Sequence, residues 1–111
     1  MKSATENREG KTILTVTEER LDASNSSELR ETLLSLLEEG GQRLVVDLSP
    51  VSFIDSSGLG ALLSGFKTAN LRSGTLVLAG LQPRVQSMFE LTRLHRVFEI
   101  FPSVAEALGS P

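Results

Sequence analysis

The stretch Asp55-Ser56-Ser57-Gly58-Leu59-Gly60 sets two hydroxyls beside a carboxylate and two glycines, directly ahead of a helical apolar pattern. The first turn of a helix has backbone N–H groups with no intrahelical partner and carries the positive end of the dipole. Such a position can hold a phosphate or receive one. Ser56 has two readings. It can be a helix N-cap whose hydroxyl accepts from an N–H two or three residues on, or it can be a site of covalent chemistry. Gly58 and Gly60 fall in the first helical turns, where glycine costs up to ~1 kcal/mol relative to alanine. Either another surface must approach closely there, or the helix must pack tightly on its own sheet.

Other chemistries lack parts. A serine hydrolase needs a base and an orienting group, and the only imidazole is His95, in a charged segment between a helix and a strand. The nucleophile-elbow pattern is absent, because Ile54 and Gly58 flank Ser56. Gly60 and Gly65 have the spacing of a phosphate-binding loop, but Phe66 precedes Lys67-Thr68 and the intervening Ala61-Leu62-Leu63-Ser64 belongs to an apolar helix. Gly58-x-Gly60 followed by Leu63 fails the dinucleotide fingerprint at its third glycine. Asp22, Asp47 and Asp55 could meet around Mg²⁺ only if the fold gathered them. Asp22 and Asp55 each precede a helix, where carboxylates commonly compensate the dipole. No metal and no cofactor are therefore expected, and the chain is read as a non-enzyme.

The elements that must position the motif follow from periodicity. Lys11 to Glu18 is rich in β-branched residues and reads as a strand, with Ser3 to Arg8 as an edge strand across the turn at Gly10. Asn25 and Glu28 have capping-box spacing; Leu29, Leu33, Leu36 and Leu37 then mark one helical face until Gly40-Gly41. Arg43 to Ser49 is a nearly continuous apolar run, which predicts a strand covered on both faces, ended by Pro50. A second helix begins at the motif and runs to about Arg72, with Leu59, Leu62, Leu63, Phe66 and Ala69 inward. Thr75 to Ala79 is a short strand. Pro83 opens a third helix whose inward side carries Val85, Met88, Phe89 and Thr92. Val97 to Phe101 reads as a last strand, and Ser103 with Glu106 caps a terminal helix bearing Val104, Ala107 and Leu108.

Strands joined by helical crossovers imply parallel neighbours. The expected fold is α/β, a small mixed and largely parallel sheet of four or five strands packed against about four helices. The motif then lies at the carboxyl end of a strand, where sites of such sheets gather.

The chain of 111 residues suits one domain, 1–111. A formal net charge of −3, with the eleven Lys and Arg dispersed, offers no footprint for nucleic acid. Arg84, Arg93 and Arg96 read as a solvated face, or more sharply as a partner contact. The absence of cysteine suits a reducing compartment. No apolar run approaches the ~18 residues that span a bilayer, so the expectation is a cytoplasmic protein without membrane insertion.

The six-residue motif after an apolar strand, with Leu21-Asp22 before the first helix, resembles the bacterial anti-sigma factor antagonists, small stand-alone STAS domains. The resemblance covers nearly the whole chain. It implies a phosphorylation-controlled partner switch. The unmodified antagonist binds an anti-sigma factor that is also a serine kinase of the histidine-kinase-like ATPase fold, and thereby frees a sigma factor. Phosphorylated, it lets go until a serine phosphatase resets it. By motif position the acceptor is Ser56, and Asp22, Asp55, Ser57, Gly58, Leu59 and Gly60 share the partner-binding surface, the glycines clearing the approach of the partner's nucleotide. One departure stands out: where the family often has glycine two residues before the Leu-Asp pair, this chain has Glu19. A STAS-like accessory subunit of a membrane lipid ABC transporter, bound to its ATPase, is the alternative with the same architecture. The free chain is expected to be a monomer.

Overall fold

The computed structural model describes residues 1–109, so residues 110 and 111 of the expected domain lie outside the described residues. In chain order the elements are β1 (Ser3–Arg8), β2 (Lys11–Val16), β3 (Arg20–Leu21), α1 (Ser26–Glu38), β4 (Arg43–Asp47), β5 (Phe53–Ile54), α2 (Ser56–Leu71), β6 (Thr75–Ala79), α3 (Pro83–Leu91), a 3₁₀ turn at Leu94–Arg96, β7 (Ile100–Phe101) and α4 (Val104–Leu108). The main sheet has the order β1-β2-β4-β6-β7. Only β1 runs antiparallel to its neighbour; the other pairs are parallel, as helical crossovers require.

Strand alternation divides the core in two. Leu14 and Val16, Leu44 and Val46, and Leu76 and Leu78 face α1, α2 and α3, whose buried residues include Leu29, Leu33, Leu62, Val85 and Phe89. Ile13, Val45 and Ala79 point to the opposite face and meet Ala107 of α4. The unbroken apolar run at 44–46 thus belongs to a strand covered on both sides. Helix α2 lies close on α1 and β6 because Gly65 has no side chain. A Cβ there would sit 2.9 Å from Leu33 Cδ1 and 3.1 Å from Leu76 Cδ1.

Three local expectations are corrected. Val97–Phe101 is not one strand. Arg93 adopts a left-handed φ of 61°, one 3₁₀ turn follows, and Phe98 swings into the core against Phe66 and Phe89, with ring centroids 5.0 and 5.6 Å away. The strand is reduced to Ile100–Phe101, with the Glu99 carbonyl still accepting from the Leu78 N–H at 3.0 Å. Thr92 is not inward but exposed at the end of α3, its hydroxyl donating to the Met88 carbonyl. The capping box of Asn25 and Glu28 does not form: the Asn25 side chain turns away from the helix, donating to the Arg20 carbonyl at 2.8 Å and accepting from the Asp22 N–H at 3.0 Å.

Candidate functional site

Two strands outside the main sheet build the site. β3 and β5 pair in parallel with Arg20 opposite Phe53 and Leu21 opposite Ile54, and the Asp55 N–H donates to the Leu21 carbonyl at 3.1 Å. Each two-residue strand ends in a buried aliphatic side chain followed by aspartate, Leu21-Asp22 and Ile54-Asp55. The ladder therefore delivers the starts of the α1 and α2 segments side by side. Sequence reading missed it, because two residues show no periodicity; the repeated aliphatic-Asp pair was the available signal. Glu19 anchors the ladder through its carbonyl, which accepts from the N–H groups of Ser52 (2.8 Å) and Phe53 (3.2 Å). Glu19 is not among the residues with positive φ, so this turn does not require a glycine there.

At the head of α2 the cap is Asp55, not Ser56. Asp55 has extended backbone, and its Oδ1 accepts from the N–H groups of Ser57 (2.8 Å) and Gly58 (3.2 Å). The Asx geometry wins over a serine cap because a carboxylate both satisfies two free donors and compensates the dipole. Ser56 is left as the first helical residue, exposed, with its hydroxyl making no hydrogen bond to a described residue.

The glycines of the motif differ in role. Gly58 is buried, and a Cβ on it would fall 2.8 Å from Ile54 Cγ1 and 2.9 Å from the Leu21 carbonyl oxygen. It lets α2 start directly on the β3–β5 ladder and does not open the surface. Gly60 has nothing within 4 Å of its virtual Cβ, so it is the glycine that keeps space clear. Leu59 is 4 % exposed and belongs to the core, while Ser57 is half-buried. Of the seven residues expected on the binding surface, Gly58 and Leu59 support it from beneath.

Asp22 is drawn into its own turn. Its Oδ1 accepts from the Ser24 hydroxyl at 2.6 Å and the Ser24 N–H at 3.0 Å, and its Oδ2 faces Arg20 Nε at 3.4 Å. The Ser24 hydroxyl, then the Ser24 N–H, and more weakly Arg20 hold its carboxyl below the usual aspartate range. Asp47 is occupied elsewhere, accepting from the Ser49 N–H. Among the described residues no three His, Cys, Asp or Glu side chains gather in a metal-binding group, and no helix is long and apolar enough to cross a membrane. His95 is exposed in the 3₁₀ turn, far in sequence from the motif.

Comparison with known proteins places this geometry. The STAS domain model matches residues 2–107. The chain is 38 % identical over 80 residues to the anti-sigma-B factor antagonist of Listeria monocytogenes, covering 72 % of this chain and 70 % of that protein. It is 35 % identical over 80 residues to the anti-sigma-B factor antagonist of Bacillus subtilis, covering 72 % of each. Among solved structures, an anti-sigma factor antagonist from Mycobacterium paratuberculosis superposes with a TM-score of 0.88 at 22 % identity, over 97 % of this chain and 91 % of that one, a likeness of fold.

Proposed function

This chain belongs to the STAS-domain anti-sigma factor antagonist family, and we propose that it is itself such an antagonist, switched by phosphorylation of Ser56. Unphosphorylated, it binds an anti-sigma factor and releases a sigma factor; with phosphate on Ser56 it lets go. The observation that carries the reading is the free, exposed Ser56 hydroxyl at the head of α2, beside an aspartate that has taken over the capping role. A serine that caps must break its own hydrogen bond to be modified. Ser56 has none to break.

The partner is an anti-sigma factor with serine kinase activity on a histidine-kinase-like ATPase fold, and a serine phosphatase returns the chain to its binding form. The kinase supplies ATP and Mg²⁺, whereas this chain is substrate and ligand, acting in the cytoplasm as one STAS-like domain over 1–111. Phosphorylation adds about −1.5 to −2 charge at a helix N-terminus, which tolerates anions, so the fold survives. The surface does not stay the same: the new charge stands next to Asp55, with Asp22 across the ladder. Repulsion and added bulk there weaken a partner that docks on the bare hydroxyl, and each ~1.4 kcal/mol lost is tenfold in affinity.

The test is to incubate the chain with its cognate anti-sigma kinase and Mg²⁺-ATP, then map phosphate by mass spectrometry and measure binding by calorimetry. One phosphate on Ser56 and none on Ser24 is expected. Ser56→Asp should bind at least about tenfold more weakly, while Ser56→Ala retains binding. Absence of phosphate on Ser56, or unchanged affinity once it is there, would sink the switch.

A further inference from the structure

We propose that the groove between β5 and α3 is a second docking subsite for the same partner, filled by an apolar side chain that has a carboxylate beside it. The proposal rests on the partner-switch reading above and extends it to a region apart from the Ser56 hydroxyl. The groove has a volume of about 270 Å³; Phe53 and Ile54 form one wall, Met88 and Leu91 the other, and Arg84 the rim. Leu91 is 80 % exposed, an unusual state for a leucine on a helix whose Val85 and Phe89 are fully buried. Asp55 lines the groove as well as capping α2, so the groove is continuous with the surface around Ser56.

Charge selects the occupant. Two guanidinium groups approach the ring of Phe53, Arg20 at 4.0 Å and Arg84 at 5.9 Å. Arg20 is ion-paired with Asp22. Arg84 has no ion pair with a described residue. The carboxylate that lines the groove, Asp55, has its Oδ1 held by two backbone N–H groups. One cation at the mouth of an apolar slot is thus left for a carboxylate from outside. A second copy is the poorer fit, because a two-fold contact through this patch would bring the same arginines of both copies toward each other. Buried apolar anchors flanked by arginine are also the composition in which binding energy concentrates at protein interfaces.

Calorimetric binding to the cognate anti-sigma kinase, with four forms of the chain, tests the proposal. Leu91→Asp and Arg84→Glu should each bind about tenfold or more weakly, and Arg84→Glu should also flatten the dependence on salt. Leu71→Asp, at the far end of α2 and 86 % exposed, is the control and should bind within about twofold of the unsubstituted chain, as a scattered surface leucine would. Thermal melts verify that each variant is folded; if Leu91→Asp is not, Leu91→Ser takes its place with the same expected direction. Leu91 and Arg84 variants that bind like the original chain overturn the groove and leave the Ser56 switch standing. An original chain that neither binds the kinase nor is phosphorylated by it overturns both readings. A chain that elutes as a dimer, and as a monomer once Leu91→Asp is introduced, gives the groove to a second copy and overturns the proposal.

Discussion

The segments that follow the two short strands start alike and end differently. Leu21-Asp22 and Ile54-Asp55 leave the β3–β5 ladder in register, and in both an aspartate carboxylate accepts from the N–H two residues on. After Asp22 the carboxylate also takes the Ser24 hydroxyl, and α1 begins four residues later at Ser26. After Asp55 the helix begins at once, the second acceptor contact goes to the Gly58 N–H, and the serine hydroxyl stays free. The same pair of residue types therefore yields a closed turn in one place and an addressable hydroxyl in the other. What separates them is whether glycine allows the helix to start against the ladder.

The sharpest way to break this contrast is Gly58→Ala. Its Cβ would press on the Leu21 carbonyl and on Ile54, so the variant should lose about 1–3 kcal/mol of stability, read as a lower denaturant midpoint. A Gly58→Ala variant as stable as the original would show that helix and ladder are not in tight contact. Asp55→Ala removes the cap that Ser56 does not provide; a loss of about 1 kcal/mol is expected, and no loss would mean that another group satisfies the Ser57 and Gly58 donors. Gly60→Ala should move the other way, gaining up to ~1 kcal/mol because its Cβ meets open space, while weakening kinase binding if the cleared space is used. The smallest effect belongs to Asp22. Its carboxyl titrates low in the folded chain, so the turn's contribution is present above the ordinary aspartate range and is lost as pH falls through the depressed folded value. In an NMR titration Ser24→Ala should raise the Asp22 midpoint toward that of an unperturbed aspartate, and an unmoved midpoint would remove Ser24 as its chief cause.

Much of the scaffold was legible because single residues decide it. Pro83 opens α3, Ser103 accepts from the Glu106 N–H at 3.2 Å, and Gly40 takes the positive φ of 96° that stops α1. The choice of cap at α2 was not legible. Aspartate and serine both favour that position, and only the ladder, which fixes the Asp55 backbone through Leu21, decides between them. The segment after α3 differs for a related reason: Val97 to Phe101 suits a strand locally, yet burying Phe98 among two other rings outweighs a longer pairing at the edge. In the motif, the glycines read as one device from sequence, but Gly58 and Gly60 point to opposite environments, which one-dimensional spacing does not distinguish.

The opposite face of the sheet is closed by α4, and Lys11 Nζ donates to the carbonyls of Ala107 and Leu108, each at 3.1 Å, across 96 and 97 residues of chain. At a synthesis rate of roughly 5–20 residues per second, the wall of Ile13 and Val45 waits on the order of seconds for its cover to be made. During that interval it is a sticky nascent surface. Lysine at position 11, at the border of that wall, then serves the newborn chain as a solubilising charge before it serves the finished one as a clasp.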